Sequence, residues 1–319
     1  MIWVVGSTGM LGSEVTKLLT ENKLTFIGTG HEVDITDYNV VESFIQQQET
    51  KAYLYSHAKG NPQDCKIKWI INCSAYTAVE KAESDQENAH RLNAVAAENL
   101  ARAARGCCAR LIHISTDYVF DGTGSEPYTE LHKKIPLGVY GTTKSEGEDA
   151  IQKAMTQYYI IRTSWLYGFK KNNFVYTMTK LMNSKDEIKV VSDQIGTPTN
   201  ASDLAEIILK IIKTAKDNYD ASSSKNALPY GIYHYSNEGE TSWYDFATEI
   251  YRLGKKYKRI TKDCVITPCT TEEYGAKVER PHYSVLDKQK ISKAMKIKIP
   301  NWQSSLEKFL KNQRFQLPQ

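Results

Sequence analysis

The sequence predicts an α/β fold, with a doubly wound parallel sheet and a second, smaller α/β domain. Apolar runs of strand length alternate with amphipathic stretches of helical spacing through the first two-thirds of the 319 residues. This alternation is typical of a parallel sheet with helices on both faces. The crossovers between such strands are right-handed. After about residue 166 the alternation loosens, which indicates a second domain interleaved with late elements of the sheet.

The elements follow from the spacing of apolar residues along the chain. Strands are predicted at 2–5, 24–28, 69–75, 110–116, 158–165 and 231–236. Helices are predicted at 10–22, 38–48, 84–105, 144–154, 174–182, 201–215 and 242–253. Three stretches are interpreted as irregular: a long polar surface insertion at 51–68, a polar loop at 218–229 and the segment 276–287. We therefore assign 1–166 with 200–236 to the first domain, and 167–199 with 237–319 to the second.

The composition is ordinary for a globular protein, with 41% hydrophobic and 24% charged residues. No apolar run reaches the length that spans a bilayer, and the opening "MIWVVG" lacks the features of a signal peptide. We therefore expect a cytoplasmic protein with no membrane partner. The net charge of +4 comes without a dense basic patch, so no nucleic-acid partner is expected either.

The six cysteines form neither a CxxC pair nor any spacing typical of metal ligands. Reduced, mostly buried thiols and no metal site are the expectation. The oligomeric state stays open between a monomer and a homodimer.

Three glycines, Gly6, Gly9 and Gly12, lie between the first strand and the first helix in "VVGSTGMLG". A diphosphate approaches such a turn closely because glycines leave no side chain in the way and adopt backbone angles that other residues avoid. The helix N-terminus then offers free N–H groups and partial positive charge to the phosphates. A strand before the turn and an amphipathic helix after it are the context that supports this interpretation. The pattern predicts a Rossmann-like NAD(P)-binding domain.

The choice between NADPH and NADH depends on the turn after the second strand. An acid there accepts the ribose 2′-OH of NAD, whereas a nearby arginine favours NADP. The turn holds Thr29, Gly30 and His31, with no arginine. Asp34 follows in a position better suited to the adenine, and His31 is either a weak 2′-phosphate contact or a solvated histidine. Both NADPH and NADH therefore remain candidate cofactors.

A tyrosine followed four residues later by a lysine can act as a proton donor, because the lysine cation one helical turn away lowers the tyrosine pKa. The chain has five such pairs: Tyr55/Lys59, Tyr140/Lys144, Tyr167/Lys171, Tyr176/Lys180 and Tyr251/Lys255. Ligands of doubly wound sheets lie at the carboxyl ends of strands. The Tyr140/Lys144 pair alone has a hydroxyl cluster at such an end just upstream, formed by Ser115 and Thr116 beside Asp117. We therefore select this pair.

Several segments together resemble the extended short-chain dehydrogenase/reductases and, more narrowly, the dTDP-4-dehydrorhamnose reductase family. They include the glycine turn, "STDYVF", "YGTTK", "RTSWLYG", "NCSAYTAVEKAE", "DQIGTPT", "GIYHYSNEGETSWYDFA" and "RPHYSVLD". The resemblance covers nearly the whole chain. It implies an NAD(P)-binding sheet domain followed by a small domain that binds a sugar nucleotide.

The resemblance also implies roles for individual residues. Thr116 matches the hydroxyl that bonds the substrate carbonyl, Tyr140 the proton donor, and Lys144 the residue that tunes Tyr140 and holds the nicotinamide ribose. The substrate side is matched by Thr116, Asp117, Trp165 and Arg280, with Trp165 packing on the sugar and Arg280 facing its diphosphate. The cofactor side is matched by Gly6, Thr8, Gly9, Met10, Leu11, Asp34, Ile35, Cys73, Ser74, Ala75, Tyr140 and Lys144.

The implied function is NAD(P)H-dependent reduction of the C4 keto group of dTDP-4-dehydro-6-deoxy-L-mannose to dTDP-L-rhamnose. Two alternatives remain: a reductase of another nucleotide keto-sugar, and a non-catalytic NADP-binding regulatory subunit. The chain departs from the family pattern in its 51–68 insertion and in the Cys and Ser of "NCSAY".

Overall fold

The computed structural model describes residues 1–58, 65–170, 173–215, 228–276 and 278–317. The chain divides into two compact units, each assembled from three segments. The first unit comprises 1–116, 138–162 and 205–233. The second comprises 117–137, 163–204 and 234–319.

The described strands are β1 Ile2–Val5, β2 Phe26–Thr29, β3 Trp69–Asn72, β4 Arg110–Thr116, β5 Tyr158–Thr163, β6 Leu166–Tyr167, β7 Glu187–Val191, β8 Ile195–Gly196, β9 Thr199–Asn200, β10 Gly231–His234, β11 Thr241–Ser242 and β12 Val265–Cys269. Six of them form the central sheet in the order β10-β5-β4-β3-β1-β2. The pairs β1–β2, β1–β3 and β3–β4 are parallel. The predicted α/β fold with a parallel central sheet is thereby confirmed.

The described α-helices are α1 Met10–Glu21, α2 Tyr38–Ala58, α3 Val79–Ala82, α4 Gln86–His90, α5 Ala96–Gly106, α6 Val139–Ala154, α7 Phe174–Ser184, α8 Ala201–Thr214, α9 Trp243–Lys256, α10 Thr271–Tyr274, α11 Gln289–Met295 and α12 Trp302–Lys311. A π-helical segment, Arg91–Val95, joins α4 to α5, and a 3₁₀ turn, Asp117–Val119, follows β4. No helix among the described residues is both long enough and apolar enough to cross a membrane.

The strand order places the ligand crevice. Going outward from β1, the chain forms β2 on one side and β3 on the other, so the order of the strands reverses at β1. Ligands of doubly wound sheets bind outside the carboxyl ends of the strands at this reversal. The loops after β1 and β3 therefore define the crevice of the first unit.

The core of the first unit is mainly aliphatic, with a few aromatic side chains. Alternate residues of the strands, such as Trp3 and Leu111, pack with the alanine-rich face of α5 and with Val41 of α2. Small side chains on α5 let its backbone approach the sheet and α6 closely.

The core of the second unit is richer in aromatic side chains. Phe246 of α9, Trp302 and Phe309 of α12, and Phe315 form a cluster of ring contacts with Tyr167 and Tyr176. Helices α7 and α9 pack beside the parallel pair β7 and β12.

Three expectations about local structure need correction. The stretch 51–58 continues α2 as a helix rather than forming a surface loop, because no glycine or proline interrupts it; residues 59–64 lie outside the described part. The helix expected at 144–154 begins at Val139. Its first turn carries no pattern of apolar residues, so the spacing does not indicate this earlier start. The six cysteines are free thiols, but only Cys264 and Cys269 are buried. Most of the expected loop 218–229 lies outside the described residues.

Candidate active site

The glycine turn after β1 has the geometry that a diphosphate needs. Gly6 has φ +73°, in the left-handed region. The backbone N–H of the next residue, Ser7, donates to Thr29 O at 2.9 Å. A side chain on Gly6 would lie 3.0 Å from Ser74 N, and one on Gly12 would collide with Gly6 O. Positions 6 and 12 thus leave no room for a Cβ, and α1 begins directly behind the turn.

The end of β3 lies against this turn. Cys73 N donates to Val5 O at 3.0 Å, and Ser74 is the closest neighbour of Gly6. Cys73 is half-buried, and desolvation of its thiol raises the pKa to about 12, so the side chain is a neutral thiol. The structure therefore brings together two predicted cofactor segments that are far apart in sequence, the glycine turn and residues 73–75.

The loop after β2 presents two carboxylates. Glu32 accepts from Gly30 N at 2.7 Å, and this hydrogen bond lowers the Glu32 pKa. Asp34 accepts from the hydroxyl and the N–H of Thr36, which lower its pKa. Arg91 of the π-helical segment donates to the Thr36 hydroxyl at 3.0 Å. No local pattern indicates that Arg91 approaches this loop, because 55 residues separate it from Thr36.

The carboxyl end of β4 carries the predicted hydroxyl cluster. Ser115 and Thr116 are both buried, and Thr116 is the last residue of the strand. Ser115 Oγ has no hydrogen-bond partner within the part of the chain that the structure describes. Helix α6 packs against β4, so the first turns of α6 lie beside this strand.

Helix α6 begins where the candidate acid lies. Gly138 precedes it in an extended conformation, and Glu83 accepts from Val139 N at 2.8 Å, which satisfies one of the free N–H groups of the first turn. Tyr140 is half-buried in that turn. Asn93 of the π-helical segment donates to the Thr143 hydroxyl at 3.1 Å and so ties the helix to its neighbour.

Lys144, one helical turn after Tyr140, is almost completely buried at 1% exposure. Its Nζ donates to Ile114 O at 2.7 Å and lies 3.2 Å from His113 Nε2. Burial lowers its pKa from 10.5 to about 8, against the attraction of Glu148. Lys144 is therefore mostly protonated at neutral pH, and it loses its proton at a pH only slightly above neutral.

Glu148 lies one further turn along α6 and is itself fully buried. Arg162 of β5 bonds it with two hydrogen bonds, from Nε at 2.8 Å and from a terminal nitrogen at 2.7 Å. The fork of the guanidinium matches the carboxylate, which is the arrangement that makes a buried ion pair tolerable.

Trp165 belongs to the second unit and follows β5 with φ +45°. Its ring stacks on Trp243 with ring centroids 3.5 Å apart and an angle of 8° between the planes. Gly196 lies against the edge atoms of the same ring, where a side chain would come within 2.5 Å. The half-buried ring is thus held in one orientation, a requirement for a platform under a ligand.

The other two predicted substrate residues also lie in the second unit. Asp117 is buried in the 3₁₀ turn that follows β4, and Arg280 is half-buried in the irregular segment before α11. Nearby, a side chain on Gly122, which has φ +75°, would collide with Pro281, so these two loops are in close contact. The structure brings the loop after Asp117 and the loop of Arg280 together.

The remaining tyrosine–lysine pairs have different surroundings. Lys255 bonds Asp263 at 2.8 Å on the surface and lies 6.0 Å from the ring of Tyr251. Tyr176 stacks on Phe315 in the core. For two pairs, Tyr55/Lys59 and Tyr167/Lys171, the lysine lies outside the described residues.

The sequence interpretation missed His113, Asn72, Asn93 and Glu148. His113 was visible as a titratable residue inside an apolar strand, "RLIHIST", and such a residue needs a buried partner. The other three show no local signal, because an amide at the end of a strand, like an amide or an acid on a helix, is ordinarily solvated.

Comparisons with known proteins identify the family to which the chain belongs. The family model for the RmlD substrate binding domain matches residues 1–315. The dTDP-4-dehydrorhamnose reductase of Aggregatibacter actinomycetemcomitans is 35% identical over 310 residues, which cover 95% of this chain and 96% of that protein.

Two solved structures are similar over nearly their whole length. A dTDP-4-dehydrorhamnose reductase from Clostridium acetobutylicum is 39% identical, with a TM-score of 0.83 and coverage of 97% of this chain and 98% of that one. The dTDP-4-dehydrorhamnose reductase of Bacillus anthracis, solved in complex with NADP, is 34% identical, with a TM-score of 0.82 and coverage of 97% of both chains. On sequence, fold and length alike, the chain belongs to the dTDP-4-dehydrorhamnose reductase family, whose model is that of the RmlD substrate binding domain.

Proposed function

We propose that this protein is an NAD(P)H-dependent reductase that converts the C4 keto group of dTDP-4-dehydrorhamnose to the alcohol of dTDP-L-rhamnose. The observation that carries the proposal is the buried Lys144, held by Ile114 O one helical turn from Tyr140. Burying a lysine costs free energy because its charge loses water. A buried lysine with a shifted pKa therefore favours a functional role over a structural one.

The residues of the chain divide the work of carbonyl reduction. A bound NADPH or NADH supplies the hydride. Tyr140 gives its proton to the oxygen of the former carbonyl, and the Thr116 hydroxyl donates a hydrogen bond that holds this oxygen. Lys144 favours loss of the Tyr140 proton through its positive charge.

The cofactor would be held by the glycine turn and the end of β3. Without a Cβ at Gly6 and Gly12, the backbone leaves room for the diphosphate at the N-terminus of α1. The Asp34 loop would lie beside the adenine. The relative from Bacillus anthracis was solved with NADP, which supports a nicotinamide dinucleotide here.

We assign Asp117, Trp165 and Arg280 to the sugar nucleotide on the basis of the family motifs that contain them. The orientation in which Trp243 holds Trp165 suits an aromatic platform for a sugar. We also propose a cytoplasmic location, which the six free cysteines support. A reductase of another nucleotide keto-sugar remains the second candidate, since unrelated sugars share the same keto chemistry.

The test is a turnover assay with dTDP-4-dehydrorhamnose and each reduced cofactor. We expect product with the wild type and a loss of kcat by about 10² or more in Tyr140→Phe, the usual contribution of an acid. Tyr251→Phe is the matched control, since its lysine partner lies on the surface, and it should keep the wild-type rate.

Two results would count against the proposal. A Tyr140→Phe variant that keeps most of its rate would remove Tyr140 as the acid. Cofactor binding without turnover of any nucleotide keto-sugar would favour a non-catalytic regulatory subunit.

A further inference from the structure

His113 is a buried titratable residue to which the proposed reaction assigns no role. It lies in the middle of β4 at 1% exposure. Its two ring nitrogens each contact one polar side chain: Nδ1 lies 3.1 Å from Asn72 Nδ2, and Nε2 lies 3.2 Å from Lys144 Nζ. Burial lowers the pKa of His113 well below its ordinary value, with Lys144 adding to the effect. The ring is therefore neutral and carries one proton.

A backbone group determines which ring nitrogen carries that proton. Ser74 N donates to Asn72 Oδ1 at 3.0 Å, and the Ser74 hydroxyl donates to the same oxygen at 2.6 Å. Because a backbone N–H can only donate, the amide oxygen of Asn72 must face Ser74. The amide nitrogen then faces His113, and since it also can only donate, Nδ1 must accept. The single proton of the ring is left on Nε2.

This tautomer points an N–H at Lys144. A neutral amine accepts a hydrogen bond from it, whereas an ammonium has no lone pair and is repelled. The other contact of Lys144 Nζ, with Ile114 O, is compatible with both forms because each retains N–H groups. The hydrogen bond from His113 is therefore made only when Lys144 has lost a proton.

One neighbouring carboxylate stabilises the protonated form of Lys144 instead. Glu148, the next turn of α6, favours the ammonium, but Arg162 of β5 bonds both of its oxygens. Tyr140 lies one turn before on the same helix. His113 is the titratable group that faces Lys144 from β4.

We propose that His113 is a positioning residue that, locked as its Nε2–H tautomer by Asn72 and Ser74 N, stabilises the neutral amine of Lys144. The proposal deepens the proposed function and rests on it for its purpose. After Tyr140 has protonated the substrate oxygen, a proton passed on from Lys144 restores the phenol and leaves Lys144 as an amine. His113 then donates to that amine, so the low-dielectric site never has to hold an unsatisfied lysine lone pair.

The first test reads the tautomer directly in the whole chain without cofactor or substrate. Nitrogen NMR of ¹⁵N-histidine-labelled protein distinguishes a protonated from a bare ring nitrogen. The His113 signals are assigned by their loss in His113→Gln among the 7 histidines. We expect a protonated Nε2 and a bare Nδ1 from pH 6 to pH 9, roughly the range over which a buried neutral histidine holds its form. A protonated Nδ1, or an imidazolium, would overturn the proposal.

The second test reverses the polarity with an isosteric change. In Asn72→Asp a carboxylate oxygen faces Nδ1, so the ring proton moves there and Nε2 becomes an acceptor for the Lys144 ammonium. We expect the Lys144 titration, followed by NMR of labelled lysine and assigned with Lys144→Met, to move up by about one pH unit. A midpoint that stays or falls would overturn the proposal.

Ser74→Ala is the matched control for the tautomer. It removes the hydroxyl but keeps the backbone N–H that orients Asn72, so the His113 signals should be unchanged. If Asn72→Asp does not fold, the tautomer in the wild type still decides the question. Failure of the enzyme to turn over a keto-sugar would leave both NMR results intact, which separates this proposal from the proposed function.

Discussion

At the scale of single residues, the proposed role of Lys144 opposes the stability of the fold. Its pKa of about 8 in the folded protein lies below the value of 10.5 expected in the unfolded chain. Between these values the unfolded state binds a proton that the folded state does not, so stability rises with pH across this window. Below it, both states are protonated and the folded state carries the full cost, about 3 kcal/mol.

We therefore expect Lys144→Met to abolish turnover while making the fold more stable at pH 7. The free energy of unfolding of the wild type should rise between pH 8 and pH 10 more steeply than that of the variant, because the variant lacks the titrating group. Urea unfolding at several pH values measures both. Lys255→Met, which removes a surface lysine, is the control; parallel profiles for wild type and Lys144→Met would contradict the expectation.

Trp165 offers a second prediction at this scale. The ring stacks on Trp243 but is only half-buried, so its removal leaves a smaller cavity than loss of a core tryptophan would. We expect Trp165→Ala to raise the KM for the keto-sugar, to leave the cofactor Kd unchanged, and to destabilise by less than the about 3–5 kcal/mol typical of a buried aromatic residue.

Trp165→Phe keeps a stacking ring and should recover much of the KM. A large fall in Tm in Trp165→Ala with an unchanged KM would instead make Trp165 a core residue. Sugar recognition would then belong to other residues of the second unit.

At the scale of elements, a buried ion pair joins α6 to β5. Glu148→Gln leaves Arg162 buried without its counter-charge, so we expect a loss of about 3–5 kcal/mol in the free energy of unfolding. Glu249→Gln breaks an exposed pair with Arg252 and should cost under about 1 kcal/mol. Denaturant unfolding of both variants measures the difference.

The double variant Glu148→Leu with Arg162→Met removes both charges and should recover most of the stability lost in Glu148→Gln. A Glu148→Gln protein as stable as the wild type would show that the pair does not anchor α6.

The prediction on cofactor choice rests on the turn that follows β2. It has no arginine of its own, and Glu32 turns its carboxylate onto Gly30 N. We expect both NADPH and NADH to serve, with a kcat/KM ratio below about a hundred, or roughly 2.7 kcal/mol. Steady-state kinetics with each cofactor measures the ratio. A larger preference for NADPH would point to Arg91, which lies beside the same loop, and Arg91→Ala would then reduce it.

The sequence predicts a helix or strand well when one of its faces is buried, because the apolar residues then recur at a regular spacing. It predicts the ends of an element poorly when contacts with distant residues set them. The amphipathic helix at 201–215 was predicted within a residue of its observed end. The start of α6 was missed, because Gly138 and the distant Glu83 determine it rather than any apolar pattern. The sequence does not predict the π-helical segment at 91–95 either, because the composition and spacing of its residues fit one long α-helix.

At the scale of the whole molecule, neither unit is a continuous piece of chain. Each is assembled from three segments, so the chain passes repeatedly from one to the other. The boundaries expected from the sequence, near 166, 200 and 236, stay a prediction; the compact units divide at 116, 138, 163, 205 and 234. A division inside an α/β chain leaves no compositional mark, because strands and helices of both units use the same apolar residues.

The sequence by itself determined the fold class and the glycine turn, and it predicted Tyr140 with Lys144 as the proton-transfer pair. These depend on local periodicity and on chemistry within a few residues, which a linear pattern records. The tertiary structure alone decided what surrounds Lys144. Its contact with His113 spans 31 residues and that of His113 with Asn72 spans 41. The first contact arises where α6 packs on β4, and the second where β3 pairs with β4, which places Asn72 beside His113. The burial of Lys144 therefore depends on segments that are far apart in the chain, and no local pattern encodes it.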